Sequence, residues 1–377
     1  NYLNLVMHHM LEMLSELLTK ELENYLLLCL ITILARINIF FYFYNSIMKT
    51  LYCDGVFDLF HKGHLEHLKK VKNYFREETK LIVGIIDDNT CSEYKRKPIF
   101  DENKRKAILD SCKYVDETII TDLLVMTNDF LSENNITHVF HAFGDSNDEE
   151  KQSLFFKIPK DMGIFIPIEY NKGISTTEII ESNDWANIWE KKGAINTQDA
   201  YLLNGWEETE FKPEILIKNI EKNLNMNKND RLLEMGCGAG LLSTFLKKYR
   251  YFGVDKSCSL VNKHINLFNN IVLNFSSVDV IFKDNYFDYA IVNSMFEYLK
   301  HYEEVKKTVD ELERVSKKGV FIANIREFTH NKKLDKHKFD GVFTHLTLER
   351  SFFIDKGYTL IDCYHNDKQR YNAYKLF

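Results

Sequence analysis

The chain has 377 residues, 45% of them hydrophobic and 28% charged, with a formal net charge of -6 at pH 7 and only 4 Pro and 15 Gly. At roughly 150 residues per domain, that length predicts two domains and a fraction with substantial cores, which excludes a collagen-like, linker-dominated or disordered chain. The acidic balance lacks the basic excess that polyanion binding needs, so no nucleic acid is expected as a partner.

Residues 1–47 do not resemble the rest. Tyr25 to Tyr44 is apolar apart from Arg36 and Asn38, about the length of a membrane-spanning helix, but those two side chains together cost a few kcal/mol inside a bilayer. Met48 stands immediately before a strand-like run and reads as a natural start. Residues 1–47 are therefore expected to be dispensable, with a membrane-associated helix or a packing helix as the other readings.

From Thr50 onward, short apolar runs alternate with amphipathic stretches. Thr50 to Tyr52, Leu81 to Ile86, Glu117 to Thr121, His138 to His141 and Ile164 to Ile168 are expected strands of one block. Arg231 to Met235, Tyr251 to Val254, Tyr289 to Asn293 and Gly319 to Asn324 are those of a second, and Arg370 to Asn372 suits a final antiparallel strand. Strands alternating with helices imply parallel sheets. The expected fold class is α/β, with two doubly wound Rossmann-like domains of mostly parallel sheets over residues 48–182 and 183–377. No Gly/Ser/Pro-rich linker lies near Ser182 to Trp185, so the domains are expected to abut. The 7 Cys are odd in number and form no C-x-x-C pair, which points to a reducing, cytoplasmic setting without disulfides or structural zinc.

Tyr52-Cys53-Asp54-Gly55-Val56-Phe57-Asp58-Leu59-Phe60-His61-Lys62-Gly63-His64 leaves a strand and enters a helix. At such a junction, main-chain N–H groups and the positive helix end hold phosphates. His61 and His64, three apart, share one helical face. Attack of a phosphate on the α-phosphorus of a nucleotide needs alignment and donors for the equatorial oxygens, not a protein nucleophile. An isolated H-x-G-H is more often a pair of solvated or core histidines, so the weight rests on further motifs.

Those motifs are present. The segment resembles the cytidylyltransferase family, and so do Lys95 to Lys97 followed by Asn103-Lys104-Arg105-Lys106, Lys113-Tyr114-Val115-Asp116-Glu117, and Gly173-Ile174-Ser175-Thr176-Thr177-Glu178-Ile179. The likeness covers about Met48 to Glu181. It implies CTP, carried with Mg2+, and a phosphorylated small molecule as substrates, pyrophosphate as a product, and a homodimer through the H-x-G-H region. Residue by residue, it implies that His61, His64, Lys95 and Arg105 act on the phosphates, and that Gly55, Val56, Phe57, Asp145, Ser175 and Thr176 bind CTP. Two departures bear on the substrate. Tyr170-Asn171-Lys172 stands where the family usually has Arg. Leu124 and Ala142-Phe143 stand where choline-type members hold a quaternary ammonium, so that cation–π cage is missing. A phosphoglutamine-like compound, or another phospho-compound of capsule, surface-glycan or lipid head-group synthesis, is expected instead of phosphocholine.

Leu232-Leu233-Glu234-Met235-Gly236-Cys237-Gly238-Ala239-Gly240 again follows a strand, and Gly253-Val254-Asp255 ends the next. Glycines permit a close backbone turn under a nucleoside, and a carboxylate at the second strand's end can accept both ribose hydroxyls. With Phe282 to Val292 and Glu311 to Val320, this resembles the S-adenosylmethionine-dependent methyltransferases, over about Trp185 to Phe377. The resemblance implies S-adenosylmethionine at Glu234, Gly236, Cys237, Gly238, Asp255 and Asn293, and a methyl acceptor nearby. Methyl transfer needs little more than proximity, so no general base is required; Glu297, Tyr298 and His301 are the alternative proton acceptors, and Ser276 or Ser277 stands on the adenine side. Trp185 to Glu190 and Tyr201 to Trp206 are read as a lid or a cap on the sheet. The leading reading is a bifunctional biosynthetic enzyme with both transfers in one pathway; the second is a non-catalytic nucleotide-binding scaffold with one degenerate domain.

Overall fold

A computed structural model describes residues 7–10, 13, 32–33, 48–94, 97–143, 149–150, 152–169, 185–206, 211–327, 345–363 and 370–377. Apart from residues 32–33, the apolar run 25–44 lies outside them, and so do the expected domain boundary at 182/183 and Lys95, Asp145, Ser175 and Thr176. Among the described residues no helix is long and apolar enough to cross a membrane.

In chain order the first half comprises β1 (Lys49–Gly55), α1 (Lys62–Lys72), β2 (Thr79–Ile86), α2 (Asp88–Tyr94), α3 (Glu102–Ser111), β3 (Glu117–Thr121), α4 (Asn128–Glu133), β4 (His138–His141), α5 (Lys157–Asp161) and β5 (Phe165–Pro167). Its five strands run in the order β3-β2-β1-β4-β5, and every pairing is parallel. The second half comprises α6 (Trp185–Gly193), α7 (Ala200–Leu203), α8 (Pro213–Leu224), β6 (Arg231–Met235), β7 (Arg250–Asp255), α9 (Cys258–Phe268), β8 (Ile271–Asn274), β9 (Phe287–Asn293), α10 (Tyr302–Val315), β10 (Ser316–Arg326), α11 (Arg350–Asp355), β11 (Thr359–Asp362) and β12 (Arg370–Leu376). Its sheet runs β11-β12-β10-β9-β6-β7-β8, with β12 antiparallel to both of its neighbours. The α/β expectation of two mostly parallel sheets agrees with this architecture.

Both central strands, β1 and β6, are buried on both faces, as the apolar run Leu51–Cys53 requires and as Leu232, Leu233 and Met235 require around the buried Glu234. In each sheet the chain first moves outward to one side and then returns to the other. The strand order therefore reverses between β1 and β4, and between β6 and β9. A crevice opens at the carboxyl ends of the strands at each reversal, and that is where doubly wound sheets bind ligands.

The two halves abut, as expected from the absence of a linker. Cys112 and Phe282 form an antiparallel bridge. The Lys113 N–H donates to the Ile281 carbonyl at 2.8 Å, and the Lys283 N–H donates to that of Ser111 at 2.9 Å. Leu109, Cys112 and Val115 from one half join Phe252, Ile281 and Phe282 from the other in one continuous core cluster.

Candidate active sites

The first site is built at the end of β1. Gly55, Val56 and Phe57 carry the chain from the strand toward α1, and Phe57 and Leu59 take left-handed backbone conformations (φ 52° and 47°). Such residues cost of order 1–3 kcal/mol each and persist only where their surroundings over-determine them. Two side chains do that. The Asp58 carboxylate accepts the N–H groups of Ile99 and Phe100, both at 3.0 Å. Arg105 on α3 is fully buried: Nη1 donates to the carbonyls of Val56 (2.7 Å) and Ile86 (2.8 Å), Nε to that of Phe100 (3.0 Å), and Nη2 to Asp88 Oδ1 (2.5 Å). The expectation that Arg105 touches phosphate is therefore corrected here. Its rigid fork of donors is committed to carbonyls from three segments and to one carboxylate, and it shapes the loop from beneath.

His61 is the N-cap of α1. Its Nδ1 accepts the Gly63 N–H at 3.0 Å, while His64 Nδ1 accepts the His61 N–H at 3.4 Å. The rings stack with centroids 3.9 Å apart and planes 24° apart. A ring that accepts at Nδ1 keeps its proton at Nε2, so both histidines present Nε2–H as a donor. Burial lowers the pKa of His61. Burial, with His61 and His67 nearby, lowers that of His64 to about 3. Both rings are thus neutral donors at physiological pH. His64 is flanked by Phe57 and Phe60, at 5.4 and 5.5 Å between centroids.

At the neighbouring strand end, His141 Nδ1 lies 3.7 Å from Asp54 Oδ1. The rings of His141, Phe143, Phe156 and Phe165 cluster there. The Lys160 ammonium lies over Phe143 (5.5 Å) and Phe165 (5.1 Å). A cation of the protein itself sits on those two rings.

The second site is a cavity of about 520 Å³ at the reversal between β6 and β9, within the range of roughly 300–1,000 Å³ typical of small-molecule sites. Glu234, Gly236, Cys237, Gly238, Asp255 and Asn293 all line it. Gly236 and Gly238 have positive φ (75° and 52°), and a Cβ on Gly238 would meet Asn204 Oδ1 at 2.0 Å. That cradle admits only glycine. Asp255 Oδ2 accepts the Gly238 N–H at 2.8 Å and Oδ1 accepts the Ser257 N–H at 2.9 Å, so this carboxylate holds the loop. Burial raises its pKa against those bonds. Burial likewise raises Glu234 to about 8, against the 2.6 Å bond from the Tyr251 hydroxyl and with Asp255 adding to the rise. Glu234 is therefore largely a neutral acid at pH 7. The residues fit a nucleoside-bearing sulfonium: glycines for close approach and a carboxylate placed to accept ribose hydroxyls.

Trp185, Trp189, Asn204 and Trp206 line the same cavity, which favours the lid reading of these segments. Helix α6 is anchored by Glu190, whose carboxylate accepts from Ser257 Oγ (2.8 Å) and the Ser259 N–H (3.0 Å). Ser276 lines the cavity as well, while Ser277 pairs with the Thr308 hydroxyl at 2.9 Å.

The expected proton acceptors fare differently. Glu297 is 4% exposed, and Arg326 (2.9 Å) and Arg370 (3.0 Å at both nitrogens) occupy its two oxygens. Burial first, and then the Glu297 charge, raise the Tyr298 pKa and keep it a phenol. His301 is an exposed N-cap. Glu297 and Tyr298 are therefore not free bases, which corrects the expectation for these two, and His301 is not among the residues that line the cavity. Arg326 and Arg370 were not anticipated; they lie far apart in sequence, and only the antiparallel β12 brings them together beside Glu297.

Residues 52–182 match the family model described as cytidylyltransferase-like, and residues 233–324 match that of a methyltransferase domain. The chain is 37% identical over 130 residues to choline-phosphate cytidylyltransferase A of Mus musculus, covering 34% of this chain and 35% of that protein. It is 35% identical over 141 residues to ethanolamine-phosphate cytidylyltransferase of Dictyostelium discoideum, covering 35% and 37%. It thus spans about a third of the length of these curated relatives. A SAM-dependent methyltransferase from Aquifex aeolicus aligns over 50% of this chain and 97% of its own, at 19% identity and a TM-score of 0.35. The chain holds a cytidylyltransferase-like domain followed by a methyltransferase domain, as the two sequence resemblances implied.

Proposed function

We propose that the chain is a bifunctional biosynthetic enzyme that transfers a cytidylyl group from CTP to a phosphorylated amino alcohol, releasing pyrophosphate, and transfers a methyl group from S-adenosylmethionine in the same pathway. The observation that carries the first half is the stacked, neutral pair His61–His64 at the head of α1. Two Nε2–H donors, together with the main-chain N–H groups of Gly55 to Phe57 and the helix end, suit the charge that builds as one phosphate attacks the α-phosphorus and pyrophosphate leaves. Lys95, Asp145, Ser175 and Thr176 complete the CTP site in this reading, and Arg105 is a positioning residue that holds the Val56 carbonyl. Mg2+ carried with CTP would supply charge neutralisation at the departing phosphates.

The names of the cytidylyltransferase relatives, choline-phosphate and ethanolamine-phosphate, support a phosphorylated amino alcohol as the second substrate. Lys160 over Phe143 and Phe165 argues against a quaternary ammonium at those rings, and Asp54 offers a carboxylate to a less substituted amine. In the second half, Gly236, Cys237 and Gly238 would hold the methionine side, Asp255 the ribose, and Asn293 the reacting end of the donor, while Glu234, as a neutral acid, supports the loop. Methyl transfer from a sulfonium is an in-line displacement that proximity can carry.

Release of pyrophosphate from CTP, Mg2+ and ethanolamine phosphate tests the first activity. His64→Ala is expected to lower its rate roughly 10²–10³-fold, as loss of one preorganised donor does, with the melting temperature preserved. No pyrophosphate with any phospho-amine or phospho-alcohol would leave only the scaffold reading. Calorimetric binding of S-adenosylmethionine tests the second half.

A further inference from the structure

We infer that the methyl acceptor is itself a small phosphorylated amine, with its phosphate on Arg326 and its nitrogen against the rings of Trp185 and Tyr298. This rests on the methyl-transfer reading above and names its substrate class. The cavity that holds the glycine loop continues past Met295 to a wall of two chemistries. One is aromatic: Tyr298 meets Trp185 and Trp189 edge-on, both at 5.0 Å, and Trp185 stacks on His345 at 4.8 Å. The other is cationic. Arg326 and Arg370 share the single carboxylate of Glu297, so these three side chains together carry one net positive charge.

Arg370 is saturated by Glu297 and by the Asn324 carbonyl at 2.8 Å. Arg326 uses only Nε on Glu297, and its two terminal nitrogens make no hydrogen bond among the described residues. A fork with free donors and excess positive charge suits a phosphate dianion. The aromatic faces attract an ammonium without hydrogen-bonding its nitrogen, so the lone pair that appears on deprotonation stays available for attack. The nitrogen gives up one proton to solvent and forms the N–C bond with the methyl carbon. The S–C bonding pair returns to sulfur, and the product is a substituted ammonium beside the same rings. Both halves of the chain would then recognise one substrate class.

The test titrates the full chain, loaded with S-adenosylhomocysteine, with ethanolamine phosphate, free ethanolamine and inorganic phosphate in a calorimeter. Ethanolamine phosphate is expected to bind at least about tenfold more tightly than either fragment. Arg326→Gln is expected to weaken it about tenfold to hundredfold while leaving the S-adenosylhomocysteine affinity unchanged. Equal binding of free ethanolamine would overturn the proposal without any variant. So would an Arg326→Gln chain that loses the S-adenosylhomocysteine affinity alone, since the guanidinium would then belong to the donor's carboxylate. Failure of S-adenosylhomocysteine to bind at all would sink the methyl-transfer reading and this inference with it. Binding of S-adenosylhomocysteine with no response to ethanolamine phosphate would sink this inference only.

Discussion

The ring of Phe60, the residue before the first histidine of α1, lies 6.3 Å centroid to centroid from that of Phe275, which lines the cavity of the second site. The two candidate sites therefore share a wall one aromatic pair thick. Phe60 is 2% exposed and also flanks His64, so the histidine pair is braced from the other domain.

Removing either ring should be costly. Phe60→Ala and Phe275→Ala are each expected to destabilise the chain by about 3–5 kcal/mol, with a coupling of about 0.5–1.5 kcal/mol between them in a double-mutant cycle. Urea unfolding of the four chains measures both quantities. A coupling near zero would mean that the two rings do not support one another.

Acid should unfold the chain through its buried histidines. His64 is held at about 3, and His67 and His264 at about 4, in each case chiefly by burial. The ordinary histidine value is near 6.5, so between about pH 6.5 and 4 the unfolded chain binds more protons than the folded one. Stability is then complete above pH 6.5 and falls as pH drops, by up to about 1.4 kcal/mol per pH unit for each group. Melting temperatures from pH 7.5 to 4.5 check this, and His67→Gln should flatten the slope. A melting temperature constant down to pH 4.5 would refute it.

Gly238→Ala should abolish nucleoside binding at the second site. The position has a φ of 52°, and a Cβ there would meet Asn204 Oδ1 at 2.0 Å. Either the Asn204 amide gives up the Ala239 N–H it accepts at 3.2 Å, or the loop shifts and the N–H that Asp255 accepts shifts with it. We expect at least about a hundredfold loss of S-adenosylmethionine affinity by calorimetry, with pyrophosphate release by the first domain retained.

Arg105→Met should behave as a structural lesion and not as the loss of a phosphate ligand. It leaves the carbonyls of Val56, Ile86 and Phe100 and the Asp88 carboxylate without this donor, and breaking a buried charge network of this kind costs about 3–5 kcal/mol. The first domain should melt earlier. A chain that keeps its stability and loses only CTP affinity would restore the direct-contact expectation.

Much of this architecture is legible along the chain because its determinants are local. Glu117–Thr121, His138–His141 and Arg231–Met235 match their expected limits, since an apolar run between turn signals needs no distant partner to be read. β8 (Ile271–Asn274) and β11 (Thr359–Asp362) were not anticipated: four residues carry too little periodicity, and only pairing with β7 and β12 makes them strands. The histidine spacing and the glycine loop likewise follow from helical repeat and backbone freedom.

The amino-acid sequence alone determined the two α/β blocks, the histidine-pair and glycine-loop motifs and the order of the domains, because each is encoded within a few adjacent residues. Which charges face a ligand was decided by tertiary packing. Arg105 turned inward because three carbonyls converge on it, and Arg326 and Arg370 met at Glu297 because strand β12 inserts antiparallel beside β10. A guanidinium's role depends on what else reaches the same point in space, and spacing along a chain does not carry that information.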